Sequence, residues 1–119
     1  MTHIDTRVRI RFDAQLAIGP GRIELLEGIQ RSGSLSQAAR DMKMSYRRAW
    51  LLMKSLNSAL AGPASIAAKG GRRGGGATVT ALGRELIRAY RSFEARVTRE
   101  SQRRFARFAP SPRRREALR

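Results

Sequence analysis

The stretch Ser34-Leu35-Ser36-Gln37-Ala38-Ala39-Arg40-Asp41-Met42-Lys43-Met44-Ser45-Tyr46-Arg47-Arg48-Ala49-Trp50-Leu51-Leu52-Met53-Lys54-Ser55-Leu56-Asn57-Ser58-Ala59-Leu60 reads as two helices separated by a very short turn. Each is opened by a serine. Ser34 can accept the free backbone N–H groups of a first helix in which Leu35, Ala38, Ala39 and Met42 share one face of a 3.6-residue period. Ser45 stands likewise before a second helix whose buried stripe is Ala49, Leu52, Met53, Leu56 and Leu60. That leaves Tyr46, Arg47, Arg48, Trp50, Leu51 and Lys54 around its other sides. The pattern is that of a helix-turn-helix.

In such a motif the second helix enters the DNA major groove and its first turns meet base edges, while the first helix crosses the backbone. Tyr46, Arg47 and Arg48 stand in those first turns, and Ser34, Ser36 and Gln37 open the crossing helix. An arginine fork can hold guanine O6 and N7 together, and the positive helix start at Ser45 suits a phosphate. Two short amphipathic helices joined by a tight turn also occur in many small helical domains, so the pattern alone leaves DNA binding and plain packing about even. Trp50 stays open in the same way, between a partly buried core aromatic and a DNA contact.

Composition tips the balance. Across 119 residues, 25 Lys+Arg stand against 9 Asp+Glu, a formal net charge of +16. That excess points to a polyanionic partner. Nucleic acid fits better than an anionic membrane, because no apolar run approaches the ~20 residues of a spanning helix. The start, Met1 to Ile10, lacks the basic, apolar and small-residue regions of a signal peptide, so a cytoplasmic, nucleoid-associated location is expected. Cysteine is absent and the single histidine, His3, lies at the terminus. Neither disulfides nor thiolate metal sites are available, no cofactor is indicated, and the scattered acids offer no paired-carboxylate pocket; an enzyme is not expected.

Before the motif, Val8, Ile10 and Phe12 alternate with Arg9, Arg11 and Asp13, the period of a half-buried strand that could continue through Leu16. Gly19-Pro20-Gly21 then breaks the chain, and Pro20 suits the first turn of a support helix with Ile23, Leu26 and Ile29 on its core side, ending at Gly33. After Leu60, Ala61-Gly62-Pro63 is a stop. Two short strand-compatible segments, Ser65 to Lys69 and Ala77 to Thr80, then flank Gly70-Gly71-Arg72-Arg73-Gly74-Gly75-Gly76. This is expected to be a glycine-rich wing whose Arg72 and Arg73 reach DNA backbone or minor groove; its bland alternative is a solvated loop. A phosphate-binding loop is set aside, because Ala77 stands where its lysine should be.

From Thr80 a long helical pattern carries Leu82, Leu86, Tyr90, Phe93 and Val97 every three or four residues. Its later apolar residues would be exposed unless a second chain covers them, so a homodimer is favoured over a helix curling onto its own domain. The segment after Phe108 has two prolines and an arginine run without apolar period, hence a disordered basic tail. The domain expectation is a frayed start over 1–6, a folded unit over 7–108, and the tail over 109–119.

From Val8 to Val97 the order and spacing of these pieces resemble the N-terminal winged-helix domain of the molybdate-responsive ModE family, itself related to the DNA-binding domain of LysR-type regulators. Ser34-Leu35-Ser36-Gln37-Ala38-Ala39, Ser45-Tyr46-Arg47-Arg48-Ala49-Trp50, and Gly74-Gly75-Gly76-Ala77 before Thr80 and Gly83 carry the likeness. The resemblance implies a mainly α fold with a small β wing, a winged helix-turn-helix with an N-terminal strand and a long C-terminal dimerisation helix. It implies a recognition helix beginning at Ser45 and a dimer interface that includes Val8, Ile10, Phe12, Leu86, Tyr90, Phe93 and Val97. The chain ends at Arg119, without the family's C-terminal oxyanion-binding domains, so no molybdate binding is expected from this chain alone.

The function expected is a sequence-specific, dimeric DNA-binding transcriptional regulator acting on an inverted repeat. Tyr46, Arg47 and Arg48 would read bases, with Trp50 against backbone or a thymine methyl and Lys54, Arg72 and Arg73 on phosphates. The alternative is a nonspecific or architectural protein that coats nucleic acid through charge.

Overall fold

A computed structural model describes residues 3–68, 76–110 and 112–118. The elements are β1 (Ile10–Arg11), β2 (Ala17–Ile18), α1 (Pro20–Ser32), α2 (Leu35–Asp41), α3 (Tyr46–Ala59), β3 (Ser65–Ala67), β4 (Ala77–Val79), α4 (Ala81–Phe105) and α5 (Pro112–Ala117), with a 3-10 turn over Ala106–Phe108.

The helix starts follow local chemistry. Pro20 opens α1, and Gly33 closes it in the left-handed region at φ 70°, its N–H returning to Ile29 O. Ser34 Oγ accepts from Gln37 N at 3.1 Å, Ser45 Oγ from Arg48 N at 3.1 Å, and Thr80 Oγ1 from Gly83 N at 3.0 Å. Between α2 and α3 the turn needs one left-handed residue, Lys43 at φ 57°, a non-glycine at which the side chain is tolerated but not favoured.

The core joins helices α1 to α4. Ile23, Leu25, Leu26 and Ile29 of α1 meet Leu35, Ala38 and Ala39 of α2, Ala49, Met53 and Leu56 of α3, and Ile87 and Tyr90 of α4. Small residues let α1 and α2 approach closely: a Cβ at Gly28 would lie 2.9 Å from Ala38 Cβ. At the far end of α3, Asn57 fastens the chain that follows it, its Oδ1 accepting from Ala64 N (2.8 Å) and Ser65 N (3.3 Å) while its amide donates to Ser65 O (3.0 Å). Helix α4 is tied to α1 through Arg91, which donates to both carboxylate oxygens of Glu27 and to Glu94.

Several expectations are corrected here. The alternation of Val8, Ile10 and Phe12 does not run on as one strand. Asp13 Oδ1 accepts from Gln15 N and Phe12 N donates to Leu16 O, so the chain folds back and β1 pairs antiparallel with β2, Ile10 opposite Ile18. The two strand-compatible segments on either side of the glycine-rich stretch do pair as expected, β3 lying antiparallel to β4 with Ile66 opposite Thr78. The rest of the molecule holds that pair through Ala77 N donating to Gly33 O at 3.0 Å, the isolated bridge of Ser34 with Gly76, the Asn57 bonds to Ser65, and the burial of Ala77 and Val79 in the core. In place of the winged helix-turn-helix expected from the sequence, the described residues form a small helical domain carrying two two-stranded antiparallel sheets. Within the start expected to fray over 1–6, Ile4 N donates to Gln102 Oε1 at 3.2 Å and Thr6 Oγ1 lies 2.5 Å from Thr98 Oγ1, both on α4; residues 1 and 2 lie outside the described residues. Where a disordered tail was expected, Pro112–Ala117 are helical.

Candidate nucleic-acid interface

Helix α3 contains no acidic residue, and the face it turns away from the core is basic and aromatic. Ser45, Tyr46, Arg47, Arg48, Trp50 and Lys54 are all exposed, with Tyr46 at 47% and Trp50 at 44% of full exposure. Ala49 and Met53 hold the opposite side in the core, so the helix cannot rotate these residues inward without burying charge.

The exposed residues divide between two sides. Tyr46, Trp50, Lys54 and Asn57 line one wall of a groove of about 570 Å³ whose other wall is Ser65 to Ala68 with Gly76 and Ala77. Lys54 Nζ lies 4.9 Å from the centre of the Trp50 ring, a cation–π contact that fixes both at the mouth of the groove. Arg47 and Arg48 lie round the helix, against Arg22 and Ser55. The structure thus brings Tyr46, Trp50 and Lys54 to the β3–β4 edge and sets Arg47 and Arg48 apart from them. Arg72 and Arg73 lie outside the described residues.

On α2, Ser34 is engaged as a cap and the Gln37 side chain is held locally, donating to Asp41 Oδ1 at 2.8 Å and accepting from Arg40 at 2.7 Å. Ser36 is half-buried beside them. Asn57, which sequence reasoning passed over, shapes the floor of the groove by pinning β3 to α3; its only sequence signal is a polar residue on a largely apolar face.

The residues expected at a dimer contact fall into two groups. Tyr90 is 2% exposed and its hydroxyl donates to Val8 O at 2.7 Å, so Tyr90 and Val8 belong to the protomer's own core. Phe12 and Phe93 are exposed, and Ile10, Leu86 and Val97 are half-buried against the core. Phe105 and Phe108, exposed at 57% and 65%, extend the apolar surface toward the end of α4.

Among the described residues, no His, Asp and Glu cluster could hold a metal ion, and no helix is long and apolar enough to cross a membrane. No protein-family model matches the chain. It is 45% identical over 82 residues to the molybdenum-pterin-binding protein MopB of Rhodobacter capsulatus, covering 69% of this chain and 30% of that protein. It is 36% identical over 93 residues to the molybdenum transport protein ModE of Azotobacter vinelandii, covering 78% and 34%. Against the DNA-binding transcriptional dual regulator ModE of Escherichia coli strain K12 it is 38% identical over 81 residues, covering 68% and 31%. The chain spans about a third of the length of the curated relatives it matches. These matches correct the resemblance drawn from the sequence. The relatives are regulators and a molybdenum-pterin-binding protein alike, and the matches do not assign the chain to an N-terminal winged-helix domain. The expectation that this chain takes no molybdate loses its ground with that assignment.

Proposed function

We propose that the chain acts in transcription regulation by binding DNA in a sequence-specific manner, as a homodimer on an inverted repeat. One observation carries the reading: α3 presents an acid-free face of Tyr46, Arg47, Arg48, Trp50 and Lys54 on a rigid, core-anchored helix. Arg47 and Arg48 supply forks for guanine edges, whereas Trp50 with Lys54 serves the backbone or a thymine methyl. Arg72 and Arg73 add phosphate contacts. Phe93, Val97 and Phe105 on α4 supply the apolar surface for the second copy, and a stable dimer then presents two α3 helices.

Selection of bound sequences from a random duplex pool, followed by binding titrations, tests this. Arg48→Ala should cost about 1–3 kcal/mol on the selected site and relax one base position, while Arg73→Ala weakens all sequences alike. Half-sites should lie ~34–36 Å apart or a multiple of it, so inserting half a turn abolishes tight binding. A pool that enriches no motif identifies a nonspecific nucleic-acid-coating protein instead.

The relatives' names favour a second reading, a molybdenum-related role for this chain. A melting temperature raised by molybdate but not by equal sulfate supports it; a ligand at 100 times its Kd would add about 2.7 kcal/mol. Identical melting in both anions refutes it.

A further inference from the structure

Two neighbouring recesses, of about 390 and 370 Å³, share Arg22 and Arg48 as walls; the second also takes in Arg7 and Arg9 from the N-terminal segment. No acidic residue lines either one. Like charges gathered in one concavity repel, and a cleft lined by one sign of charge concentrates counter-ions that offset the repulsion.

Arg22 is the centre of the arrangement. Its Nη1 donates to Ala17 O at 2.9 Å and its Nη2 to Ser55 Oγ at 3.1 Å, so a carbonyl and a hydroxyl fix the guanidinium in place without neutralising it. Its Nε is buried with no partner among the described residues. Burial first, and the Arg9 charge second, hold its pKa below the ordinary arginine value. This is a half-buried cation that is positioned but not paired, an arrangement that costs free energy until a counter-charge arrives. The start of α1, where Gly19 makes no side-chain cap, opens on the same recess and adds its positive pole.

We propose that this recess is an oxyanion seat that takes one tetrahedral, phosphate-like group between Arg22, Arg48 and the Arg7–Arg9 segment. Arg22 brings its positioned charge and the Nη hydrogens not spent on Ala17 and Ser55, and the exposed arginines close over the anion. The same chemistry is offered by free phosphate and by a DNA backbone phosphate beside α3, and only the second source rests on the DNA-binding reading.

The test uses Arg7→Gln with Arg9→Gln, exposed residues outside the proposed base-reading set, against Arg88→Gln with Arg99→Gln, an exposed pair of equal charge on α4. Inorganic phosphate is titrated by calorimetry, and duplex binding is followed by anisotropy across a salt series. A free-anion seat gives saturable phosphate binding that the first pair loses and the control pair keeps. A DNA-phosphate seat gives no saturable phosphate binding, but the first pair lowers the salt slope by about 0.9 more than the control does. Arg22→Lys, which keeps the charge and loses the fork, should reproduce the first pair in whichever arm responds; if it fails to fold, the exposed pairs still decide. Equal behaviour of the two pairs in both arms overturns the proposal. Should the wild-type chain bind no duplex at all, the DNA reading falls, the calorimetric arm stands alone, and absence of phosphate binding overturns the seat.

Discussion

Replacing Tyr90 by phenylalanine removes one hydroxyl and leaves the ring in place. That hydroxyl donates to Val8 O at 2.7 Å, and both residues are buried, Tyr90 at 2% and Val8 at 9% exposure. The variant strands the Val8 carbonyl away from water, at a cost of about 1–3 kcal/mol. Each kcal/mol moves the melting temperature by roughly 4–8 °C in domains of 60–100 residues and roughly 2–4 °C at 150–250, so a fall of about 2–24 °C brackets the expectation for this chain. Thermal unfolding followed by far-ultraviolet circular dichroism measures it. The bond is internal to one protomer, so the difference between the two proteins should not depend on protein concentration, as an interface bond would require. A second signature lies at high pH. Burial, and then the Glu94 charge, raise the Tyr90 hydroxyl above its ordinary 10.0, against the opposing pull of Arg91 and Arg7. An acid whose folded value is raised contributes stability below its unfolded value, lost as pH climbs through the folded one. Wild-type protein should therefore lose stability from about pH 10 upward by an increment absent from Tyr90→Phe. A variant that melts within about 1 °C of wild type, or a difference that grows on dilution, would refute the placement of Tyr90 in the protomer core.

Gly83→Ala should destabilise despite the helix-propensity gain of about 1 kcal/mol, because the new Cβ would lie 2.1 Å from Ala64 O and 2.7 Å from Val79 Cγ1. The carbonyl cannot step aside while Thr80 N holds it at 2.9 Å, whereas Gly62→Ala, only 3.5 Å from Leu82 Cδ2, should be nearly neutral in the same denaturant titration. Asn57→Ala strands Ala64 N and Ser65 O, and should cost about 1–3 kcal/mol and speed hydrogen exchange at Ala64 more than at Ala49; equal exchange at both would show that the loop after α3 is held some other way.

What was legible in the sequence was local. Ser34, Ser45 and the Pro20–Gly33 boundaries could be read because a cap bonds within three residues of itself, and the stripe of Ala49, Met53 and Leu56 because a helix repeats every 3.6 residues. The exposed chemistry of α3 followed from that stripe, since whatever it left over had to face solvent. What was missed depended on partners far along the chain. Tyr90 fitted an apolar seam equally well as core or interface, and only Val8, 82 positions away, decides between them. The α4 stripe was read through Phe93, which is 49% exposed, while Ile87 and Gly83 are the residues buried beside Tyr90. A seam drawn at heptad spacing drifts around a straight helix, so its two ends face different surroundings. The β3–β4 pair was legible, but the first strand was overdrawn for a related reason. In a segment of two residues, pairing is set by turn chemistry at Asp13, so alternation along Val8, Ile10 and Phe12 suggested a longer strand than the backbone makes. Arg22 was invisible on the same logic, one arginine on an amphipathic helix. Its meaning comes from Ala17, Ser55, Arg9 and Arg48, brought to it by separate elements, and an unpaired charge can be recognised only when everything around it is in place.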